Sequence, residues 1–223
     1  LQLGQLGVDY TRLVNESAVV TFSAPCRGGG SADFALTDPD ANRVPTAGDT
    51  LRATLRDCYS PTLDDHSSGE LTYVLSAPSA GGGEAYAGTL IFGGGFLVGA
   101  PQGDRVEVSG SVRVDWRAQP LTTELQMTAA ASNDLALSVI ADPDRATERV
   151  RAPVLSKTFD YSTARTTNRL GFVLESELLE GRIEVQTPTP LSSFFGTYPD
   201  AGLLRVNGNA NASPKPPMPA VNC

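Results

Sequence analysis

The feature that most narrows the fold is a run of strict two-residue alternation at 105–116. Val106, Val108, Gly110, Val112, Val114 and Trp116 share one parity, and Arg105, Glu107, Ser109, Ser111, Arg113 and Asp115 share the other. Successive side chains of a strand point to opposite faces. This is therefore a strand with one face in a core and the other in water or against a partner. Twelve residues without a phase error exceed the usual strand of about five or six. Such a strand implies a tall sheet, and Gly110 at its centre provides for a bend or bulge.

The same period recurs along the chain. Strands are expected at 18–23, 32–36, 50–57, 70–76, 86–92, 96–98, 121–128, 135–139, within 147–161 and 170–187, and at 202–206. Leu121, Leu125 and Met127 are expected to face inward. Residues 174–180 admit one short helical turn instead. Residues 59–69 read as a polar loop and 78–84 as a flexible turn. Gly93, Gly94 and Gly95 read as a sharp hairpin rather than a phosphate loop, since no Lys-Ser/Thr and no helix pattern follow. Thr187-Pro-Thr-Pro is expected to end a strand, because proline cannot donate to a ladder.

Strand after strand with short turns and no helix pattern between them means an all-β, long antiparallel meander. A sheet of this size must curl or close, so the expected form is a half-open barrel or a sandwich. No break is clean enough for two independent domains. Residues 1–223 read as one β-rich domain: a hairpin unit at 1–76, a main meander at 86–206, and a Pro- and Asn-rich tail at 207–223.

Charge excludes two classes of partner. A net charge of −8 argues against nucleic acid and against a polybasic membrane-surface role. No run of about 18 apolar residues exists, so no transmembrane segment is expected. The chain starts at Leu1 without a charged-then-apolar leader, and it is expected to be a mature, processed chain.

The cysteines are Cys26, Cys58 and Cys223, with no C-x-x-C among them. Cys26 and Cys58 flank one hairpin-sized unit. A disulfide there would contribute ~3 kcal/mol in the chain-entropy model and points to an oxidising compartment. Cys58 has the parity of Arg52 and Arg56, off the core face unless the strand bulges. Cys223 is left for an intermolecular bond, a different pairing or a free thiol.

The candidate chemistry lies at 38–49. Asp38, Asp40 and Asn42 stand at positions one, three and five of a calcium-loop count, the Val44 carbonyl at seven, Thr46 at nine and Asp49 at twelve. Alternate residues of a tight turn point oxygens inward, and a later carboxylate closes the shell. Ca2+ is the expected ion, with Asp38, Asp40, Asn42, Val44 and Asp49 as ligands. Arg43 stands where the calcium loop has glycine, and strands flank the loop. The plain alternative is an acidic hairpin loop held by Asx-type turns.

This unit resembles one from uncharacterised secreted proteins and lipoproteins of Gram-negative bacteria. The resemblance is carried by Cys26, Gly28, Gly29, Gly30, Asp38, Asp40, Asn42, Gly48, Asp49 and Cys58, and by the later run Gly181-Arg-Ile-Glu-Val-Gln-Thr-Pro-Thr-Pro with Tyr198, Pro199 and the 202–208 segment. It covers about a third of the chain. It implies a secreted, periplasmic or outer-surface location and supplies no activity.

The remaining candidates read as structural. His66 sits among Asp64, Asp65, Ser67 and Ser68 without a Gly-x-Ser-x-Gly elbow, and a solvated loop histidine is the favoured reading. Glu175 and Glu177 read as solvated charge rather than a glycosidase pair. Trp116 shares the valine parity and reads as core rather than a sugar platform. The expectation is a non-enzymatic structural or assembly protein with other protein chains as partners. An apolar-ligand carrier of half-barrel type comes second and a carbohydrate-binding β domain third.

Overall fold

The computed structural model describes residues 21–42, 46–61, 65–78, 85–99, 104–130, 135–141, 144–177, 179–194, 197–210 and 221–222. The strands are β1 (Thr21–Pro25), β2 (Ser31–Thr37), β3 (Thr50–Ser60), β4 (Asp65–Pro78), β5 (Ala85–Gly99), β6 (Arg105–Gln119) and β7 (Thr122–Ala129). They continue as β8 (Leu135–Ala141), β9 (Asp144–Asp160), β10 (Arg165–Ser176), β11 (Gly181–Phe194), β12 (Ala201–Ala210) and β13 (Val221–Asn222). All lie in one antiparallel sheet whose spatial order follows the chain order. The meander is therefore one continuous hydrogen-bonded sheet.

One departure from simple succession has a simple geometry. Both β7 and β8 pair with β6 on one side and β9 on the other. Val112 faces Ala129 and Ser109 faces Ala136, so β7 and β8 lie end to end as two halves of one strand. The four pairings close a partial ring, but β1 and the last strands do not pair among the described residues, and the barrel stays open.

The core occupies one face of β2 to β7. Phe34, Leu51, Leu71, Tyr73, Leu90, Phe92, Phe96, Val112, Val114, Trp116, Leu125 and Met127 are all buried there. The opposite face carries ion pairs such as Arg52–Glu70, Arg56–Asp33 and Arg113–Asp115. Leu121 departs from its expected inward position. It lies in the β6–β7 turn, 59 % exposed. A turn residue has no sheet face to share.

Several expected breaks are bulges inside continuous strands. Gly93, Gly94 and Gly95 do not make a hairpin. They form a bulge within β5, where Phe92 faces Gly110 and Phe96 faces Val108. Gly95 takes φ 83°, which few other residues adopt. The bulge leaves Phe92 and Phe96 on the same face, their rings 5.4 Å apart.

Pro188 and Pro190 likewise do not end β11, which runs to Phe194. The register against β10 shifts between Asn168/Leu191 and Gly171/Gln186, which leaves both prolines out of the ladder. There the Thr187 hydroxyl accepts the Leu170 N–H at 2.9 Å and donates to the Leu170 carbonyl at 3.3 Å, standing in for a backbone pair. The expected polar loop at 59–69 shrinks to the connection between Ser60 and Asp65. Ser67 and His66 extend the ladder opposite Cys58 and Tyr59. Residues 174–176 end β10, and the Glu180 N–H donates to the Glu177 carbonyl at 3.3 Å just after it. Of the tail, 207–210 belong to β12, and β13 pairs with Leu203 and Leu204. Residues 211–220 and Cys223 lie outside the described residues.

Candidate cation site

The β2–β3 hairpin is fastened at both ends. At one end Cys26 and Cys58 form a disulfide with Cα atoms 5.4 Å apart. The parity conflict of Cys58 is resolved by a β-bulge. Leu55 faces Gly69 and Cys58 faces Ser67, so Arg56 and Asp57 oppose the single residue Ser68. Asp57 takes φ 51°, and Cys58 rotates to the core face, 9 % exposed.

Around this bulge the packing is backbone to backbone. A Cβ on Gly30 would sit 2.1 Å from the Asp57 carbonyl oxygen, so only glycine fits. The Tyr59 N–H donates to the Gly29 carbonyl at 3.0 Å, and the Asp57 N–H to Ser68 Oγ at 2.9 Å. His66 Nδ1 lies 2.6 Å from Asp57 Oδ1, and its ring packs 4.9 Å from Tyr59. This pairing knits the bulge.

At the other end lies the acidic loop. Carboxylate oxygens of Asp38, Asp40 and Asp49 fall within 4.8 Å of one another. Asp49 closes the loop at the mouth of β3 and is 6 % exposed. Its position is set from a distant strand. The Leu75 N–H donates to the Asp49 carbonyl, and the Gly48 N–H donates to the Leu75 carbonyl, both at 2.8 Å. Asp49 Oδ2 accepts the Thr46 N–H at 2.8 Å. Its other oxygen, Oδ1, is buried without a hydrogen-bond partner among the described residues. A buried anionic oxygen with no donor is costly unless a cation meets it.

Asn42 and Thr46 arrange the rest. The Asn42 amide donates to Asp40 Oδ2 at 2.7 Å and to Thr46 Oγ1 at 3.3 Å, and the Thr46 hydroxyl donates to Asp40 Oδ2 at 3.0 Å. The Asn42 N–H also donates to Asp40 Oδ1 at 3.2 Å, a local Asx-type bond. The sequence count thus places positions one, three and twelve together. Asn42, at position five, orders Asp40 through its amide nitrogen. Val44 lies outside the described residues. All donors at hand are oxygens, and three carboxylates this close repel one another without a counter-ion, so the set fits a hard divalent cation. The Leu75 clamp had no sequence signal, because cross-strand register joins residues far apart in the chain.

The other candidates take structural places. Trp116 is 5 % exposed and stacked on Tyr86 at 5.7 Å. Glu175 pairs with Arg151 at 2.8 Å, and Glu177 accepts the Thr147 N–H at 2.8 Å. No helix among the described residues is long and apolar enough to cross a membrane. Comparison of the chain with known protein families, with curated proteins and with solved structures finds no match in any of the three.

Proposed function

We propose that the chain is a non-enzymatic structural or assembly protein of a cell envelope or the extracellular space. In this reading Ca2+ braces its first hairpin, and its partners are other protein chains. The observation that carries it is the buried, donorless Oδ1 of Asp49 beside the carboxylates of Asp38 and Asp40. A donor set of oxygens without nitrogen or sulfur suits Ca2+ rather than zinc. The Cys26–Cys58 disulfide supports an oxidising compartment. The sheet supports assembly, because among the described residues its outer strands leave edges to which another chain can add.

Thermal melting in Ca2+ and in chelator tests the cation. Ca2+ at about a hundred times its dissociation constant would stabilise the fold by ~2.7 kcal/mol, and Asp49→Asn should abolish the difference. An unchanged melt in chelator reduces the loop to an Asx-stabilised turn. Assembly is tested by solution size under non-reducing conditions, with and without Cys223→Ser. A strict monomer in both overturns it.

A further inference from the structure

The face that carries the core does not stop at β7. Its parity crosses to β9 through the rows Trp116–Leu125–Lys157 and Ala118–Thr123–Phe159. There a cavity of ≈ 370 Å³ opens, lined by Trp116, Thr123, Glu124, Leu125, Lys157, Phe159 and Tyr161. That volume lies within the ~300–1,000 Å³ of small-molecule sites.

Its walls are preorganised. Trp116 is backed by Tyr86, and Phe159 meets Tyr161 edge to face at 4.7 Å. The Tyr161 N–H donates to the Leu121 carbonyl at 2.9 Å. Tyr161 stands 56 % exposed in this lining, and Leu121 59 % exposed in the β6–β7 turn.

Lys157 is the cation of this lining. Its ammonium makes no ion pair or hydrogen bond among the described residues. Glu124 is out of phase with Leu125 and belongs to the opposite face, across from Arg117. In a chain of net charge −8, an unpaired ammonium in an aromatic-lined cavity favours an anion there. A single ammonium matches a single negative charge, whereas phosphate recognition favours the forked donors of arginine.

We propose that this cavity binds an amphiphilic monocarboxylate, its apolar body against Trp116, Leu125 and Phe159 and its carboxylate on the Lys157 ammonium. The site is separated from the acidic loop by β4 and β5, and it does not depend on the cation reading.

Trp116 is the only tryptophan, so its emission reports on the cavity directly. The whole chain would be titrated with decanoate below its micelle concentration, and with decanol as the uncharged counterpart. Calorimetry would serve as a second readout. Decanoate should bind saturably, and decanol about tenfold more weakly. Lys157→Gln, at an exposed position, should weaken decanoate about tenfold and leave decanol unchanged, while Phe159→Ala should weaken both. Three results would each overturn the proposal: no saturable binding by either readout, equal binding of the two ligands, or undiminished decanoate binding by Lys157→Gln. Chelator should change none of these affinities, which separates failure here from failure of the cation reading.

Discussion

The two halves of the meander share one kind of scaffold and differ in what it buries. From β2 to β7 one face is apolar and closed, with Leu71, Leu90, Phe96 and Val114 at 0 % exposure. From β9 to β12 most side chains are half-exposed, and several of the buried ones are polar: Glu148, Thr166, Ser176 and Ser193. Ser176 donates to Glu148 Oε1 at 2.7 Å, while Glu148 Oε2 is buried without a hydrogen-bond partner among the described residues, so burial there is polar and only partly satisfied. Ladders alone give a sheet its shape. Hydrophobic burial adds most of the net stability, and only the first half has much of it. The cavity opens where the two halves meet, between β6–β7 and β9.

The largest expected effect tests this contrast directly. Leu71→Ala should cost ~2–5 kcal/mol in denaturant unfolding, and Leu174→Ala on half-exposed β10 less than half as much. Equal costs would mean that the halves are not energetically distinct. Next comes the disulfide. Changing Cys26 and Cys58 to serine should cost ~2–4 kcal/mol. Amide exchange should then quicken in β2–β3 before β10–β11. An unchanged exchange pattern would show that the bridge is redundant with the core.

Gly30→Ala follows, at ~1–3 kcal/mol, because the new Cβ meets the bulge backbone at a residue with φ +81°. Gly94→Ala, which meets nothing within 4 Å, should stay within ~0.5 kcal/mol of neutral. A reversal of that order would misplace the bulge. The smallest effect concerns pH. The Ser23 hydroxyl, and then Arg56, hold the Asp33 carboxyl below its ordinary 3.8. A folded value below the unfolded one gives stability that is present above pH ~3.8 and lost as pH falls through the folded value. Asp33→Asn should flatten that acid limb of the melting curve slightly. A limb unchanged in Asp33→Asn would assign the acid sensitivity to other carboxylates.

Much of the fold was legible because alternation is a local signal. The valines of β6 and the pairs on β3 and β7 declare their faces within a few residues, and the inward parity of Trp116 held. What failed were the rules that end strands. Three glycines and two prolines read as stops, yet each cluster sits in a bulge, where an unpaired residue costs little because neighbouring ladder bonds or the Thr187 hydroxyl hold the register.

Within the candidate site, the spacing of Asp38, Asp40 and Asp49 was visible in the chain, and their convergence on one point is what that spacing anticipates. The burial of Asp49 was not visible, since it depends on Leu75 from β4. Nor was the rotation of Cys58 onto the core face, which needs a bulge set by Ser68 and Gly30. By itself the amino-acid order determined an all-β meander with one apolar face, since side-chain period and turn chemistry are properties of neighbouring residues. Only the tertiary structure decided that β1 and the last strands do not pair among the described residues, that Asp49 loses its solvent, and that the Lys157 ammonium, unpaired among the described residues, lines one cavity with Trp116. Each of these is set by register between distant strands, and register is a property of pairs that no single stretch of chain contains.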